Sequence, residues 1–305
     1  MSSISVILLT YNREQYLPDM LDSLRNQTFD DYELILVNNG STDGTAEICA
    51  AYAEADARVK LVTIRQNIGA SFGRNSGLAV AVGEYVLFVD DDDRCEPSML
   101  SFLANLAREE NADIAMCGSY NDLGDRLEPY FICNERFVFD RLQGLRELLN
   151  RRLYNAAPPT KLFRRSLWTG LSFPDNVLVD DIHVIYKVFE RAQRIAVWNI
   201  AMYVFRKHTS NMTALVHNKQ MTPELLDEYL AMYHTRAEYL STRAPEIAQD
   251  IENSLLAFMQ SMCENIISNC LPGCEKQLTY MTKYLANKGE DYKAVIRKDT
   301  ENDPK

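Results

Sequence analysis

Short apolar runs alternate with amphipathic segments over the first 118 residues of the chain. The runs are of strand length, and between them apolar residues recur at helical spacing. The predicted strands span residues 5–10, 32–39, 59–64, 84–89 and 112–118. The predicted helices span residues 16–27, 41–54, 70–82 and 97–110. Near-continuous apolar strands separated by helices are typical of a parallel sheet covered on both faces, so we predict an α/β fold with a doubly wound, mostly parallel sheet.

The pattern changes beyond residue 119. Residues 127–140 are predicted to be extended or a hairpin, residues 141–152 a helix and residues 194–206 strands. From residue 222 to residue 288 apolar positions repeat at helical spacing. We therefore predict an α/β domain over 1–214 and a C-terminal helical region over 215–305, packed on the domain or forming a homodimer.

Composition and charge narrow the class of protein. The 305 residues are 47% hydrophobic and 25% charged, as in soluble globular proteins, and the net charge of -11 argues against nucleic acid as a partner. The longest apolar runs fall short of the roughly 18–20 residues of a membrane span, and the N-terminus has no basic n-region. Seven cysteines without zinc-like pairs favour free thiols, so we expect a cytoplasmic protein.

Polar segments follow three of the predicted strands, at residues 10–12 ("TYN"), 38–43 ("NNGSTD") and 90–93 ("DDDD"). In open α/β sheets, ligands bind beyond the carboxyl ends of the strands. The three segments can therefore converge in one crevice, although they are far apart in sequence.

The run of four carboxylates is the first candidate site. In an extended segment Asp90 and Asp92 share one face, and Asp91 and Asp93 share the other. Mg²⁺ or Mn²⁺ takes oxygen ligands, commonly one or two carboxylates together with substrate phosphates. The residues alone leave two interpretations open: a metal site for a nucleotide diphosphate, and a solvated acidic turn.

The other two strand ends offer groups that suit a nucleotide. Thr10 and Asn12 can form hydrogen bonds, and Tyr11 has a flat face for a base or ribose. An amide of Asn38 or Asn39 can meet the edge of a base, while the same segment is also a plain turn. In that second interpretation Ser41 or Asp43 caps the following helix.

Further candidates lie in residues 65–77 ("RQNIGASFGRNSG") and beyond. Arg65 and Arg74 can pair with phosphate, although a lone arginine is more often a surface charge; the segment matches neither a P-loop nor a dinucleotide-binding motif. Of Asp180 and Asp181, one can cap a helix and the other can accept a proton from a hydroxyl. His208 is either structural or in reach of a metal or phosphate.

Taken in order, these segments resemble the family 2 glycosyltransferases of the GT-A fold. The matching stretches are "SVILLTYNREQYL", "YELILVNNGSTDGT", "QNIGASFGRNSGLAVAVGEYVLFVDDDD" and "PPTKLFRR…FPDNVLVDDIHV". The resemblance covers roughly residues 3–211 and implies a nucleotide-sugar-binding half over 1–118 and an acceptor-binding half over 119–214. It also implies an inverting transfer that depends on Mn²⁺ or Mg²⁺, from a nucleotide-diphosphate sugar, most simply a UDP-sugar, to a glycan or lipid-linked acceptor in cell-surface polysaccharide synthesis.

The resemblance also assigns roles to single positions of this chain. The nucleotide is expected to contact Thr10, Tyr11, Asn12, Asn39, Asn67, Arg74, Asp90 and Asp91. The metal is expected to be held by Asp92, Asp90 and His208. Catalysis is expected from Asp181, as the base, and from Asp180. The "VDDGSTD" that is usual in the family is "VNNGSTD" here, so the residues expected at the nucleotide base are amides instead of acids. The usual "ED" is "DD" here, so its first acid is Asp180 instead of a glutamate.

Two other classes of protein share part of this pattern. A sugar nucleotidyltransferase also uses a doubly wound sheet and metal carboxylates, but its Gly-rich basic N-terminal signature is missing from "TYNREQYLPDML". A non-catalytic nucleotide-sugar-binding module is opposed by the presence of Asp90, Asp92 and Asp181. The mixed charge of the C-terminal helices gives no strong basic face, so packing or dimerisation is favoured over contact with the inner face of the membrane.

Overall fold

The computed structural model describes residues 3–208 and 221–288. The chain forms two compact units, Met1–Lys207 and His208–Lys305. The domain boundary predicted between residues 214 and 215 lies outside the described residues.

The first unit is built on one mixed sheet. In the described part of the chain its strands are β1 (Ile4–Thr10), β2 (Tyr32–Asn39), β3 (Val59–Ile64), β4 (Tyr85–Asp90), β5 (Arg94–Cys95), β6 (Ile114–Asp122), β7 (Leu127–Tyr130), β8 (Arg136–Asp140), β9 (Lys161–Arg164) and β10 (Arg194–Arg206). Their order is β3-β2-β1-β4-β9-β6-β10-β5, with β7 paired to β6 and β8 to β10. Strands β1 to β4 are parallel to their neighbours among themselves, and so is β10 to β6, whereas β9 runs antiparallel between β4 and β6. The mostly parallel α/β sheet predicted from the sequence is confirmed.

Helices connect these strands. They are α1 (Leu17–Arg25), α2 (Thr45–Ala55), α3 (Ala70–Val80), α4 (Met99–Glu109), α5 (Arg141–Asn150) and α6 (Ile185–Arg191). Helix α3 lies close to β1 because glycines face the strand: a Cβ atom added at Gly73 would lie 2.2 Å from Leu9 Cδ1, and one at Gly77 would lie 2.5 Å from Ile7 Cγ2. The two glycines of "GRNSG" thus set the short packing distance between α3 and the strands that carry the candidate site.

Some elements differ from the expectation. Residues 127–140 contain two extended strands, β7 and β8, as one of the two predicted alternatives has it, but the strands do not form a hairpin, because β7 pairs with β6 and β8 pairs with β10. Residues 194–206 form one long strand, β10, where several were expected. The short strands β5 and β9 were missed, since two and four residues are too few to show a period.

The second unit contains three long helices in its described part, α7 (Pro223–Arg243), α8 (Ala248–Asn269) and α9 (Glu275–Asn287). The Thr222 hydroxyl caps α7 by accepting a hydrogen bond from the Leu225 amide at 3.2 Å. Helices α7 and α8 pack through stacked rings of Tyr233 and Phe258, whose centroids are 4.0 Å apart. None of the helices in the described residues is both long and apolar enough to cross a bilayer.

Candidate active site

The carboxyl ends of β1, β2 and β4 lie side by side at one edge of the sheet. Thr10 at the end of β1 pairs in register with Asn38 of β2, and Leu9 pairs with Asp90 of β4. The polar segments that follow these strands therefore meet, as expected for a parallel sheet. Tyr11, the next residue after β1, is exposed.

The loops after β1 and β2 are held together by side-chain hydrogen bonds. Asn12 adopts a left-handed backbone conformation, with φ of 51°. The Asn12 Oδ1 atom accepts from the Thr42 backbone amide at 2.8 Å, and the Asn12 backbone amide donates to Ser41 Oγ at 3.1 Å. Ser41 is thus not a helix cap, and α2 begins later, with Gly44 at the N-cap position. Asp43 accepts from the Thr45 amide at 3.0 Å, in the first turn of that helix.

Asn39 connects the end of β2 to the loop before α3. Its Nδ2 donates to Asn67 Oδ1 and to the Gly69 carbonyl, both at 3.0 Å, and the carbonyl fixes which way the amide points. Asn39 is 2% exposed, and its Oδ1 has no hydrogen-bond partner in the described part of the chain. Gly40 has a φ of +75°, and a Cβ atom there would lie 2.4 Å from the backbone of Gln66, so the two loops touch only because residue 40 is glycine.

The four aspartates do not form an extended run. β4 ends at Asp90, and the chain then turns, with the Asp93 amide 3.5 Å from the Asp90 carbonyl. The expected alternation of faces beyond Asp90 is therefore wrong. Asp91 accepts from the Tyr11 amide at 3.4 Å and lies 3.5 Å from the Arg13 guanidinium. Asp91 thus ties the loop after β1 to the end of β4.

Asp93 serves the opposite side of the turn. It is 3% exposed and accepts a hydrogen bond from the Arg206 amide at 2.8 Å, near the end of β10. The Tyr203 hydroxyl, also on β10, accepts from the Asp90 amide at 3.1 Å. These contacts fix the acidic turn to β10 across 113 residues of sequence.

Burial and mutual repulsion raise the pKa values of the acidic turn. Burial, together with the Asp92 charge, raises the pKa of Asp91 to about 7, which Arg13 opposes. Partial burial also raises the pKa of Asp90, where Arg74 opposes the rise and Asp92 adds to it. The pKa of Asp93 is raised well above its ordinary value by burial and by the charges of Asp90 and Asp92. The ionised forms of these three carboxylates are therefore less stable here than in water.

The acidic turn fits the divalent cation that the family resemblance implies. No group of three or more His, Cys, Asp or Glu side chains in residues 3–208 and 221–288 could hold a metal ion by itself. Mg²⁺ and Mn²⁺ sites of nucleotide enzymes, however, commonly take only one or two carboxylates, with phosphates and water supplying the rest. Asp90, whose side chain is 39% exposed, and Asp92 have the hard oxygen donors that such ions prefer.

Asp181 has the properties expected of a general base. It begins a short 3₁₀ helix, Asp181–His183, and its Oδ1 is buried without a hydrogen-bond partner in the described part of the chain. Burial and the charge of the adjacent Asp180 raise the pKa of Asp181 to about 7, against the attraction of Arg74. A carboxyl with a pKa near neutrality can accept a proton and release it again.

Arg74 joins the segment that precedes Asp181 to the acidic turn. Its Nη1 donates to both carboxylate oxygens of Asp180 at 2.6 Å, and its Nη2 donates to Asp90 Oδ1 at 3.2 Å. Burial lowers the pKa of Arg74, but attraction from Asp180 and Asp90 outweighs this and raises it above the ordinary value. Asp180 makes no side-chain cap to the 3₁₀ helix, so the capping role considered for it is replaced by this ion pair.

Three basic or polar residues near these groups were not predicted. Lys161 is 1% exposed, donates to the Ala157 carbonyl at 2.7 Å, and has a pKa lowered by burial to about 8 although Asp181 attracts it. Lys207 is half-buried and its pKa is lowered by burial, while Asp93, Asp92 and Asp90 oppose this. Asn75 follows Arg74 directly. The signals were charged or amide residues inside "TKLF", "FRKH" and "GRNS", which are ordinary in sequence.

His208 follows Lys207 and is the first residue of the second unit. Its predicted contact with metal or phosphate stays a prediction. The structure thus assembles Thr10, Asn12, Asn39, Asn67, Asp90 and Asp91 around the strand ends of the first unit, and links Asp180 and Asp181 to them through Arg74. Arg65, the other phosphate candidate, is exposed.

Known proteins are similar to this chain in sequence and in fold. Residues 5–169 match the model of the family "Glycosyl transferase family 2". Glycosyltransferase GlyG of Streptococcus pneumoniae is 29% identical over 218 residues, which cover 68% of this chain and 72% of GlyG. The family match lies within the first unit, which also contains the candidate site.

Two solved structures have a similar fold. Residues 1–349 of TarS from S. aureus, in complex with UDP-GlcNAc, align with a TM-score of 0.65 and 22% identity over 91% of this chain and 84% of the TarS chain. The mannosyltransferase PcManGT from Pyrobaculum calidifontis, in complex with GDP-Man and Mn²⁺, aligns with a TM-score of 0.60 and 18% identity over 98% of this chain and 79% of that chain. At these identities the likeness concerns the fold, which is of the GT-A type predicted from the sequence.

The family match covers more than half of the 305 residues, from the first strand to Thr169, and ends before the candidate base Asp181. It agrees with the sheet order and with the clustering of polar residues at the ends of β1, β2 and β4. The chain belongs to glycosyl transferase family 2 and is a glycosyltransferase.

Proposed function

We propose that the protein transfers a sugar from a nucleotide-diphosphate donor to a hydroxyl group of a glycan or lipid-linked saccharide, with inversion at the anomeric carbon. The observation that carries this proposal is the half-buried Asp181 carboxylate, whose Oδ1 is buried without a partner in the described residues, whose pKa is about 7 and which Arg74 and Asp180 connect to the acidic turn. A base near neutrality beside a cluster suited to a metal diphosphate serves a single displacement.

In this proposal, Asp181 takes the proton of the acceptor hydroxyl while the hydroxyl oxygen attacks the anomeric carbon from the face opposite the nucleotide. Asp90 and Asp92 would hold a Mn²⁺ or Mg²⁺ ion, which would offset the charge that grows on the departing diphosphate. Tyr11, exposed at the end of β1, offers its ring to the nucleoside. A general base of this kind contributes about 10²- to 10⁴-fold to the rate.

The nucleotide base is proposed to be uracil, with guanine as the other base that fits. Both Nδ2 hydrogens of Asn39 are used by Asn67 and Gly69, so Asn39 offers a ligand only its unpartnered Oδ1, an acceptor. The ring N–H of uracil or guanine can donate to that oxygen, whereas the corresponding ring nitrogens of cytosine and adenine are acceptors. The departure from "VDDGSTD" therefore keeps an acceptor at this position.

The test is release of nucleoside diphosphate from a panel of UDP- and GDP-sugars, measured with and without Mn²⁺, for the wild type and for Asp181→Asn and Asp92→Asn. We expect metal-dependent release by the wild type and a loss of about 10²-fold or more in Asp181→Asn. Formation of pyrophosphate from a nucleoside triphosphate and a sugar phosphate would instead indicate a nucleotidyltransferase. Donor binding without any turnover would indicate a binding module.

The identity of the sugar acceptor rests on the resemblance to enzymes of cell-surface polysaccharide synthesis. A cytoplasmic location, contact with the inner face of the membrane and a homodimer through the C-terminal helices remain predictions from the sequence. Sedimentation of the full chain with and without anionic vesicles would test the last two together.

A further inference from the structure

The segment that carries the proposed base is held by two neighbouring residues of α3. Residues 174–180 form neither helix nor strand, and Asp181 follows directly. At the far end of this segment, Asn75 Nδ2 donates to the Phe173 carbonyl at 2.8 Å and Asn75 Oδ1 accepts from the Phe173 amide at 2.9 Å. At the near end, Arg74 Nη1 lies 2.6 Å from both oxygens of Asp180. Arg74 and Asn75 thus grip the segment at both ends.

Phe173 and helix α3, between which Asn75 forms its hydrogen bonds, are both tightly packed. Phe173 is 1% exposed, and its ring lies 5.2 Å from the rings of both Phe88 and Trp168 in the core. Helix α3 is fixed on β1 by Gly73 and Gly77, where no larger residue fits without displacing the side chains of the strand. Arg74 and Asn75 therefore start from a fixed backbone.

The same guanidinium also contacts the acidic turn. Arg74 Nη2 donates to Asp90 Oδ1 at 3.2 Å, so one planar group sets Asp180 and Asp90 relative to each other. A guanidinium suits this task because its donors lie in a fixed plane, whereas an ammonium acts as a point charge. Asp180 spends both oxygens on Arg74 and is poorly placed to accept a proton from a substrate.

We propose that Arg74, Asn75 and Asp180 are positioning residues that hold Asp181 at a fixed place relative to the acidic turn, and that Asp180 is not a second base. This inference rests on the proposed function, in which Asp181 is the base. It replaces the roles expected from the sequence, phosphate binding for Arg74 and catalysis for Asp180, with a role in alignment. Misplacing a catalytic group by about 1 Å can cost about 10²-fold in rate.

The experiment measures kcat and donor KM of the full-length chain for Asp180→Asn, Asp180→Glu and Asn75→Ala, with the nucleotide sugar that the wild type turns over. We expect Asp180→Asn and Asn75→Ala to lower kcat about 10- to 100-fold with donor KM within about threefold of the wild type. Asp180→Glu keeps a carboxylate for Arg74 and should recover kcat to within about fivefold. Asp181→Glu is not expected to recover kcat in the same way, since Asp181 itself accepts the proton in the proposed reaction.

Asp56→Asn is the matched control. It breaks another two-oxygen arginine pair, in which Arg58 Nη2 lies 2.8 Å from Asp56 Oδ2, before the first residue of β3 and so at the opposite edge of the sheet. Its kcat should equal that of the wild type. A thermal melt of each variant shows whether it is folded, and if Asp180→Asn is not, Asn75→Ala decides, because it removes hydrogen bonds without changing charge.

The outcomes separate this inference from the function on which it rests. If the wild type releases no nucleotide, or Asp181→Asn keeps its activity, the proposed function fails and this inference falls with it. If Asp181→Asn is inactive while Asp180→Asn and Asn75→Ala keep wild-type kcat, only the positioning role is overturned. If Asp180→Glu is no better than Asp180→Asn, Asp180 does more than hold Arg74, and the inference is also overturned.

Discussion

The proposed base gives the reaction a pH dependence whose midpoint follows from the structure. Burial and Asp180 raise the pKa of Asp181 to about 7, against Arg74, with Asp90 adding to the rise; the buried Lys161 also attracts Asp181. Only the ionised carboxylate accepts a proton, so activity rises with pH through this value. Roughly a tenth of the molecules carry the ionised base at about pH 6, and roughly nine tenths at about pH 8. We therefore expect kcat/KM to rise about tenfold between these two pH values.

The assay is release of nucleoside diphosphate from the donor, followed from about pH 5 to about pH 9 at constant ionic strength. Asp91 is the matched control, since its pKa is also about 7 but it contacts Tyr11 and Arg13 instead of the base segment. The acid limb should persist in Asp91→Asn, whatever the absolute rate, and vanish with the activity in Asp181→Asn. A limb near pH 4, or one that disappears in Asp91→Asn, would refute the reasoning.

The same pKa predicts an effect on stability that needs no substrate. The pKa of Asp181 is about 7 in the folded protein, against an ordinary value of 3.8, so the folded state binds more protons between these values. The contribution of Asp181 to the free energy of unfolding is fully present below about pH 4 and is lost as pH rises through about 7, a loss of at most about 4 kcal/mol. Asp181→Asn should therefore melt at a higher temperature than the wild type at about pH 8 and not at about pH 4. A lower melting temperature at the alkaline pH would contradict the burial of an ionised Asp181.

Three further changes test the site and the fold. Asp92→Asn should weaken Mn²⁺-dependent binding of UDP at least about tenfold by calorimetry and leave metal-free binding within about twofold; an equal loss in both would contradict a metal role. Asn39→Ala should weaken binding of UDP about tenfold, equivalent to one lost hydrogen bond, and an equal loss of ADP binding would contradict base recognition through Oδ1. Gly77→Ala places a Cβ atom 2.5 Å from Ile7 Cγ2 and should cost about 1–3 kcal/mol of stability in a thermal melt, whereas an unchanged melting temperature would show that α3 can move away from β1.

The strands that carry the site were predictable because their signal is local. β1, β2 and β4 are continuous apolar runs followed by polar residues, and parallel strands bring such ends together whatever the distance in sequence. The position of the crevice therefore follows from the alternation of strands and helices. The family resemblance then added the roles of single residues, which periodicity does not contain.

The course of the acidic turn was not predictable in the same way. Alternation assumes that the strand continues, but β4 stops at Asp90 because partners from distant segments take the following carboxylates. The Tyr11 amide lies 80 residues from Asp91, and the Arg206 amide lies 113 residues from Asp93. Asp180 is a similar case: a helix cap is a local expectation, whereas its partner Arg74 is 106 residues away.

Four adjacent carboxylates are tolerated because they do different work. Asp91 and Asp93 each accept a backbone hydrogen bond from another element, so the charge of these two helps to assemble the crevice from the loop after β1 and from β10. Asp90 shares the guanidinium of Arg74 with Asp180, which directly precedes the proposed base. The pKa values of Asp90, Asp91 and Asp93 are nevertheless raised, because burial and the neighbouring carboxylates together outweigh these contacts. In the proposed function a cation bound at this turn would offset part of that cost and would attract the donor diphosphate, whereas a turn whose charges were fully paired within the protein would have little affinity left for a cation.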